Sequence, residues 1–270
     1  ADFEQAIAAV RGAAERLEAT QFETLTAAAL LAFAEAEVDV AVVEAGLGGR
    51  HDATNVLESR VVVLTNVALE HTDVLGDTRE AIAGEKLAVV KPDATVVLSE
   101  EEWRPLVPDN EVVVTAQSNL ALAIAAAEAF LGRPVDAHAA KDVSLPGRLE
   151  HRSERPLEIW DGAHNLAGVG YLLPRLPDRE FVVVASILRD KRPEMMLEAL
   201  SVLGGTLIAT QSRNGRVMPA EELADIGRRF FDRVEVETDP RTARLRALAT
   251  GDAVLVTGSL YLLNELHGDG

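Results

Sequence analysis

The sequence predicts an α/β protein of two domains, each built on a parallel sheet with helices packed against it. Short β-branched apolar runs alternate with segments of helical period along most of the chain. Strands and helices that alternate at this spacing need crossover connections and therefore form a parallel sheet. The charge also changes along the chain, because residues 1–150 hold 11 basic and 26 acidic residues, whereas residues 151–270 hold 15 and 18. We place the domains at residues 1–145 and 146–270.

The first domain is predicted to begin with two helices and a buried strand. Residues 2–19 place apolar side chains at helical spacing, and a second helix is expected over residues 23–35. The run Val-Asp-Val-Ala-Val-Val at 38–43 is short, β-branched and almost entirely apolar, which predicts a buried parallel strand.

The remaining elements of the first domain alternate in the same way. Further strands are expected at 60–64, 95–98 and 111–114, and helices at 78–90 and 118–131. The stretch from 132 to 149 is mixed and polar, with Pro134 and Pro146-Gly147, and it predicts a linker.

The second domain repeats the alternation more regularly. Its strands are expected at 157–160, 180–186, 206–210, 233–236 and 253–257, and its helices at 166–175, 193–203, 219–231 and 241–249. In an open parallel sheet, ligands bind beside the carboxyl ends of the strands. The loops that follow the strands are therefore the candidate functional segments.

The composition excludes several classes of function. Of the 270 residues, 48% are hydrophobic and 26% charged, as in a globular protein. The absence of cysteine excludes disulfides, thiolate metal ligands and a cysteine nucleophile. The net charge of −18 argues against nucleic acid or an anionic membrane as partner. No apolar run could cross a bilayer and the N-terminus is unlike a signal peptide, so we expect a cytoplasmic protein.

The first candidate loop follows the predicted strand at 38–43. It reads Glu44-Ala-Gly-Leu-Gly-Gly-Arg50, and Asp52, Thr54 and Asn55 follow it. Its glycines permit turns and close approach to a ligand, although a tight surface loop would have the same composition. The loop does not fit a dinucleotide-binding motif, because its third glycine does not have the required spacing and no helix follows immediately.

A second loop and a lysine complete the candidates in the first domain. Glu70 and His71 follow the strand at 60–64, so His71 and Glu44 could share a metal ion at the ends of neighbouring strands. Oxygen ligands and a phosphate substrate would favour magnesium, whereas a lone histidine is more often structural. Lys86 lies in a predicted helix, where it could also be an ordinary surface lysine.

The second domain has its candidates at the same edge of its sheet. Asp161 ends a predicted strand, Gly162 makes the turn, and His164-Asn165 lies where a helix begins, a place that often holds ribose hydroxyls or anions. Asp161 and Asn165 could instead simply cap the helix. Asp190-Lys191 and Thr257-Gly-Ser259 offer further donors after later strands.

Taken together, these segments resemble the folylpolyglutamate synthase/dihydrofolate synthase family, the folate branch of the Mur-type ligases. Six motifs in family order and with family-like spacing carry the resemblance. They are Glu44-Ala-Gly-Leu-Gly-Gly-Arg50 with Asp52-Ala-Thr-Asn55, Glu70-His71-Thr-Asp-Val-Leu-Gly-Asp77-Thr, Glu85-Lys86, Pro146-Gly-Arg148-Leu-Glu, Asp161-Gly-Ala-His164-Asn165 and Thr257-Gly-Ser259-Leu-Tyr261.

The resemblance implies an ATP-dependent ligase that adds L-glutamate to the γ-carboxylate of a folate, or to the carboxylate of dihydropteroate, through an acyl phosphate. It implies a central domain of the P-loop ATPase type, here incomplete, followed by a Rossmann-like domain, and a monomer. Two other functions remain open, a non-catalytic relative that binds folate or nucleotide and a Mur ligase that acts on a peptidoglycan precursor.

The resemblance also implies roles for single residues in the first domain. Glu44 and His71 match magnesium ligands, and Lys86 matches a lysine that becomes carbamylated and can then hold a second metal. These matches imply catalytic roles for His71 and Lys86. Arg50 and Asp52 match the loop that faces the pterin.

In the second domain the resemblance implies nucleotide contacts. Arg148 matches a phosphate contact and Asp161 a ribose contact, whereas His164 and Ser259 match positions near the nucleotide and the incoming glutamate. Asn119 is the candidate for an adenine contact, although the family's His-Gln pair reads Ala116-Gln117 here.

The sequence departs from the family in one motif. Family members begin with a phosphate-binding loop of the type Gly-x-x-Gly-Lys-Gly-Ser, whereas the first glycine of this sequence is Gly12, inside a helical pattern. We expect that part of the natural chain is absent from the sequence, the other explanation being a degenerate relative. Without this loop we expect residues 1–270 alone to bind ATP weakly.

Overall fold

The computed structural model describes residues 3–141 and 143–268, and these two ranges form two compact units. Unit 1 comprises residues 3–141 and unit 2 comprises residues 143–268. None of the described helices is both long enough and apolar enough to span a membrane.

Unit 1 begins with a helical hairpin, α1 (Phe3–Arg16) and α2 (Gln21–Glu35). Thr20 caps α2 in a reciprocal arrangement with Glu23. The Glu23 amide donates to Thr20 Oγ1 at 3.3 Å, and the Thr20 amide donates to the Glu23 carboxylate at 2.7 Å. Ala28 is the one buried residue among those described in the two helices, so local capping rather than core packing sets where α2 begins.

The strand expected at 38–43 is not formed. The backbone of this segment pairs with none of the described strands, and Val42 is 93% exposed. An apolar β-branched run becomes a buried strand only where another strand and a helix cover it, and within the described residues nothing covers this one. The prediction at 38–43 is therefore wrong for this structure.

The sheet of unit 1 has three parallel strands in the order β1-β2-β3. They are β1 (Val61–Leu64), β2 (Thr95–Leu98) and β3 (Val112–Val114). Three helices accompany them, α3 (Thr72–Leu75), α4 (Arg79–Leu87) and α5 (Asn119–Leu131), and the short helix α6 (His138–Lys141) lies within the predicted linker. The core of this unit lies between the sheet and α4, with Ile82, Val96 and Leu98 fully buried.

The sheet of unit 2 has six strands in the order β4-β5-β9-β6-β7-β8. Its strands are β4 (Glu150–Glu154), β5 (Leu157–Trp160), β6 (Phe181–Ala185), β7 (Thr206–Ala209), β8 (Arg233–Val236) and β9 (Ala253–Thr257). All neighbouring pairs are parallel except β4 and β5. The predicted parallel sheet is confirmed, and the antiparallel strand β4 is an addition that the sequence did not predict.

Helices cover both faces of this sheet. They are α7 (Leu166–Leu172), α8 (Pro193–Leu200), α9 (Ala220–Gly227), α10 (Pro240–Ala249) and α11 (Leu260–His267). Successive residues of β6 alternate between two cores, Val183 facing the core that contains Leu197 and Val184 facing the core that contains Ala243. Burial on both faces explains why these strands read as continuous apolar runs in the sequence.

One ion pair of unit 2 has a fully buried carboxylate and a half-buried arginine. The Glu158 carboxylate is fully buried on β5 and accepts hydrogen bonds from Arg244 at 2.5 and 2.7 Å and from the Trp160 indole at 2.6 Å. A buried carboxylate is tolerated only when its oxygens are paired in this way. The interaction links α10 to β5.

Candidate functional site

The glycine-rich loop of unit 1 is organised around Asp52. Asp52 Oδ2 accepts hydrogen bonds from the amides of Gly46 and Leu47 at 2.8 and 3.0 Å, and Oδ1 accepts from the Thr54 amide and hydroxyl at 3.0 and 2.6 Å. Partial burial is the largest single influence on the pKa of Asp52, and it raises the pKa. The hydrogen bonds from Thr54, Leu47 and Gly46 together outweigh burial and leave the pKa lowered. Asp52 therefore holds the loop in shape as an anion.

This loop is docked against the last turns of α4. Arg50 donates from Nε to Glu85 at 2.9 Å, and its amide donates to the Glu85 carbonyl at 3.2 Å. A Cβ at Gly49 would lie 2.6 Å from the carbonyl oxygens of Glu85 and Lys86, so glycine is required for this approach. The structure thereby brings the glycine-rich loop and the Glu85-Lys86 motif together.

The side chain of Lys86 is half-buried and forms no hydrogen bond or ion pair with the part of the chain that the structure describes. Glu85, the neighbouring carboxylate, is already paired with Arg50. An amine without a partner remains available to carbon dioxide or to a ligand. Its reaction with carbon dioxide is a prediction that the structure does not test.

The loop that carries His71 is held by Glu100, a residue that the sequence analysis missed. Glu100 accepts from the Val67 amide at 3.2 Å, from Arg79 at 2.5 Å and from the Trp103 indole at 2.9 Å. Arg79 also donates to the Val67 carbonyl at 3.0 Å. Glu100 lies two residues beyond the carboxyl end of β2, so the rule that drew attention to Glu44 would have found it.

Two candidate metal ligands in unit 1 have free side chains. The side chains of Glu44 and His71 are exposed and form no hydrogen bond or ion pair with the described residues. No group of three or more His, Asp or Glu side chains with metal-site geometry exists among the residues that the structure describes. Magnesium usually takes one or two protein ligands and completes its shell with water and phosphate oxygens. That Glu44 and His71 share such an ion stays a prediction.

His71 also has an unusual backbone conformation. Its φ is +52° and its ψ +40°, where it precedes α3 and its carbonyl accepts from the amides of Val74 and Leu75. Residues other than glycine reach this left-handed region at a cost, so the surrounding loop must impose it. Such a geometry at an exposed imidazole is consistent with a ligand-binding position.

In unit 2, Asp161 joins two loops at the carboxyl end of β5. Its Oδ2 accepts from the Leu149 amide at 2.9 Å, and its Oδ1 accepts from the Ala163 amide at 2.8 Å. The Gly162 amide also donates to the Gly147 carbonyl at 2.7 Å. The motif that contains Arg148 and the motif that begins with Asp161 are therefore adjacent, as the sequence suggested.

The end of β9 lies beside the same group. The Gly258 amide donates to the Ala163 carbonyl at 3.1 Å, and buried Ser259 caps α11 by accepting from the Tyr261 amide at 3.1 Å. His164 is half-buried, with Nδ1 3.0 Å from the Gly162 carbonyl oxygen. Asp161, His164 and Ser259 thus occupy one edge of the sheet, where ligands of such folds bind.

Two more residues that the sequence analysis missed support the Arg148 loop. Glu150 accepts from the Gly147 amide at 2.7 Å and lies 3.2 Å from His267 of α11. Burial is the largest influence and raises the pKa of Glu150, but hydrogen bonds from Gly147, Arg152 and His267 outweigh it and leave the pKa lowered. Glu150 is the last residue of the motif Pro146-Gly-Arg148-Leu-Glu but was given no role there, whereas His267 had no sequence signal. The Arg148 side chain itself is exposed and unpaired within the described residues.

The side chain of Asn119 is exposed in the first turn of α5 and forms no hydrogen bond with the described residues. Its contact with adenine stays a prediction, as do the ligand contacts expected of Arg50 and Asp52.

Comparison with known proteins identifies relatives for both units. Residues 147–260 match the family described as Mur ligase, glutamate ligase domain. The dihydrofolate synthase/folylpolyglutamate synthase of Mycobacterium tuberculosis is 33% identical over 83% of this chain and 60% of its own length. The protein of the same name from Bacillus subtilis is 30% identical over 92% of this chain and 71% of its own length. The chain thus spans about three fifths to seven tenths of these relatives.

A solved structure also resembles the chain across both units. It is a bifunctional folylpolyglutamate synthase/dihydrofolate synthase with Mn, AMPPNP and L-glutamate bound. The TM-score is 0.84 at 27% sequence identity, and the match covers 98% of this chain and 75% of that one.

Proposed function

The chain belongs to the folylpolyglutamate synthase/dihydrofolate synthase family, and from this premise we propose that it provides the folate- and nucleotide-handling parts of an ATP-dependent ligase. The reaction joins L-glutamate to the γ-carboxylate of a folate, or to the carboxylate of dihydropteroate. The observation that carries the proposal is the cluster at the carboxyl ends of β5 and β9, where Asp161 ties the Arg148 loop to His164. The relatives' names and the bound ligands of the solved neighbour support it.

The chemistry explains why such a ligase needs ATP. A carboxylate is a poor electrophile, so a carboxylate oxygen first attacks the γ-phosphorus and ADP leaves, which gives an acyl phosphate. The amine of L-glutamate then attacks the acyl carbon, inorganic phosphate leaves and the nitrogen loses a proton. Both steps concentrate negative charge on phosphate oxygens, and positively charged donors must stabilise it.

Two groups of unit 2 are placed to supply such donors. The Arg148 guanidinium is unpaired within the described residues and its loop is fixed by Asp161 and Glu150, so it can receive a phosphate without first breaking an ion pair. His164 has one ring nitrogen beside the Gly162 carbonyl, which leaves Nε2 for a nucleotide or for glutamate. Ser259 is proposed to contact the incoming glutamate.

In unit 1, Glu44 and His71 are proposed to hold a divalent cation. When bound, this ion neutralises charge on the transferring phosphoryl group. We also propose that Lys86 is carbamylated, which would turn a half-buried cation without an ion pair into an additional anionic ligand. Support for this comes from the free side chain of Lys86 and from the Mn bound in the solved neighbour.

The folate is proposed to lie beside the glycine-rich loop of unit 1. Arg50 reaches this side while paired with Glu85, and Asp52 acts indirectly by fixing the loop that carries Arg50. As part of the same proposal the protein works as a cytoplasmic monomer, with neither nucleic acid nor a membrane as partner. The net charge of −18 and the absence of cysteine support this.

Phosphate release tests the proposed function directly. The full-length protein is incubated with ATP, magnesium, tetrahydrofolate and L-glutamate, and we expect release that requires all four. Omission of L-glutamate or replacement of the folate by a muramyl peptide precursor is the matched control. Release with the muramyl precursor alone would identify a Mur ligase of peptidoglycan synthesis, and no release with either would identify a non-catalytic relative.

A further inference from the structure

The Arg148 loop lies against α11 at two places. Near the middle of the helix, a Cβ at Gly147 would lie 2.9 Å from Leu263 Cδ1, so the loop backbone packs directly on that side chain. At the end of the helix, His267 Nε2 lies 3.2 and 3.3 Å from the two carboxylate oxygens of Glu150. The helix α11 therefore supports the loop through both its middle and its last turn.

Arg148 lies between two backbone amides that carboxylates hold. The Gly147 amide donates to Glu150 Oε2 at 2.7 Å, and the Leu149 amide donates to Asp161 Oδ2 at 2.9 Å. Leu149 also has a left-handed backbone, with φ +45°, which a residue other than glycine keeps only where its surroundings impose it. The direction in which the Arg148 side chain leaves the loop therefore depends on both carboxylates.

The imidazole of His267 has a hydrogen-bond acceptor at each ring nitrogen. Nδ1 lies 2.9 Å from the Leu263 carbonyl oxygen, and Nε2 faces the Glu150 carboxylate. A neutral imidazole has a single N–H group, so either neutral form would turn a lone pair towards an oxygen atom. Only the imidazolium satisfies both contacts, and the last turn of a helix favours its positive charge.

The charged groups around His267 come from three neighbouring elements and from α11 itself. The Trp160 indole meets the imidazole edge to face, with ring centroids 4.8 Å apart. β9 contributes no titratable side chain. The charged groups are Glu150 and Arg152 of β4, Glu158 of β5, which is paired with Arg244 of α10, and Glu265 of α11, which accepts from the Arg213 amide. Of these side-chain types, histidine is the one that usually changes its charge between about pH 5 and 8.

We propose that His267 and Glu150 are positioning residues for Arg148 and make its contact with phosphate depend on pH. When His267 is protonated, the imidazolium keeps the Glu150 carboxylate on the Gly147 amide. When His267 is neutral, one lone pair opposes the contact, and Glu150 can follow exposed Arg152 away from the Gly147 amide. The loop is therefore best ordered at acidic to neutral pH and loosens as the pH rises. The phosphate contact rests on the proposed function, whereas the ordering of the loop does not.

Nuclear magnetic resonance of the 270-residue chain tests the effect on the loop. The ring nitrogens of His267 report its protonation, and the amide proton of Gly147 reports its bond to Glu150. Between about pH 5 and 8 we expect both signals to change with one midpoint, and the Gly147 amide to lose this change in His267→Gln. His151→Gln is the matched control, because His151 also lies on β4 beside a carboxylate, Glu154 at 3.7 Å, but both side chains are exposed. It should leave the Gly147 response intact.

Phosphate release by the full-length protein tests the consequence for the site. His267→Leu removes both N–H donors, so at about pH 6 we expect the KM for ATP to rise about fivefold, the effect of one lost hydrogen bond, with the KM for the folate unchanged. At about pH 8 the wild type should approach the variant. His267→Gln keeps one N–H donor but gains no proton, so its KM should be intermediate and should replace the first test if His267→Leu fails to fold. Adding His267→Leu to Glu150→Gln should cause no further loss, because His267 acts through Glu150.

The two measurements separate this proposal from the proposed function. A Gly147 amide that does not follow the protonation of His267, or a fivefold effect that is as large at about pH 8 as at about pH 6, would overturn the proposal. Absence of phosphate release by every protein would refute the proposed function, and the Gly147 amide would still decide whether His267 orders the loop.

Discussion

Asp52 accepts four hydrogen bonds from its own loop, and this fixes how unit 1 should respond to substitution and to acid. Asp52→Asn keeps one acceptor oxygen and turns an amide NH₂ towards donors. We expect it to lower the free energy of unfolding of unit 1 by about 1–3 kcal/mol at pH 7. Chemical denaturation followed by circular dichroism measures the loss.

The pH dependence of this difference follows from the pKa. Because the folded-state pKa of Asp52 is lowered, the stabilisation is present above the unfolded pKa of about 4 and is lost as the pH falls through the folded value. The gap between wild type and Asp52→Asn should therefore shrink below about pH 4. Asp109→Asn is the control, since Asp109 is exposed in a turn. An equal loss in that variant would refute a specific role for Asp52.

His71 combines a left-handed backbone with a free imidazole, so its two roles can be separated. His71→Gly removes the imidazole and relieves the backbone at φ +52°. We expect the variant to be at least as stable as the wild type, and to lose about a hundredfold in phosphate release if His71 holds the cation. Raising the magnesium concentration should restore part of the rate.

Thermal denaturation and phosphate release by the full-length protein measure the two effects. His138→Ala serves as control, because its imidazole is 81% exposed and belongs to none of the motifs. Unchanged turnover in His71→Gly would remove His71 from the site.

At the scale of elements, the turn between β9 and α11 depends on Gly258. Its φ is +100°, and a Cβ there would lie 2.6 Å from the Ser186 carbonyl oxygen. Gly258→Ala should lower the free energy of unfolding of unit 2 by at least about 2 kcal/mol, because neither the backbone nor the neighbouring strand can yield cheaply. Gly170→Ala, inside α7 with open space at its Cβ, should raise it by about 0.5–1 kcal/mol. Urea denaturation of both variants checks the contrast.

The sequence located most elements because their patterns were strong. β2, β5, β8 and β9 have the bounds expected of them, whereas α7 and α8 end a turn earlier than expected and continue as short 3-10 turns. β4 was missed because Glu-His-Arg-Ser-Glu has no β-branched apolar residue, which is typical of an edge strand exposed to solvent. The strand at 38–43 was wrong because a periodic pattern does not reveal whether a partner strand is present.

The residues of the candidate site were likewise predicted from the sequence only in part. The motif order placed Asp161, His164 and Ser259 on one sheet edge, and the hydrogen bonds between their loops confirm that they lie together. Glu100 was overlooked although it follows β2, where the rule for the carboxyl ends of strands applies. His267 carried no sequence signal, because its contact with Glu150 spans 117 residues of sequence and leaves no local pattern.

For the molecule as a whole, the surface of residues 3–47 is unusually apolar. Phe3, Leu17 and Val42 are 68%, 73% and 93% exposed, and the other large apolar side chains exposed in this segment are Phe22, Leu25, Phe33, Val38, Val40, Val43 and Leu47. Exposed apolar surface binds hydrophobic dyes and promotes association. We expect the 270-residue chain to enhance the fluorescence of bis-ANS while fully folded, and to self-associate with rising concentration.

Leu17→Lys combined with Val42→Lys should reduce both effects without lowering the melting temperature, because neither side chain is buried. Val202→Lys is the matched control, since Val202 is 75% exposed but lies in unit 2. Fluorescence titration and sedimentation velocity measure the outcome, and equal reduction by Val202→Lys would contradict a patch confined to residues 3–47.

The position of β9 has a consequence for how unit 2 comes into being. Its residues 253–257 insert between β5 and β6, at the middle of the sheet, although they are made after all the other strands. During synthesis, β5 therefore has no parallel neighbour until Thr257 has left the ribosome. Until then, the central position of the sheet between β5 and β6 stays empty. Late closure through distant pairings makes assembly slow and exposes apolar edges to chaperones in the meantime.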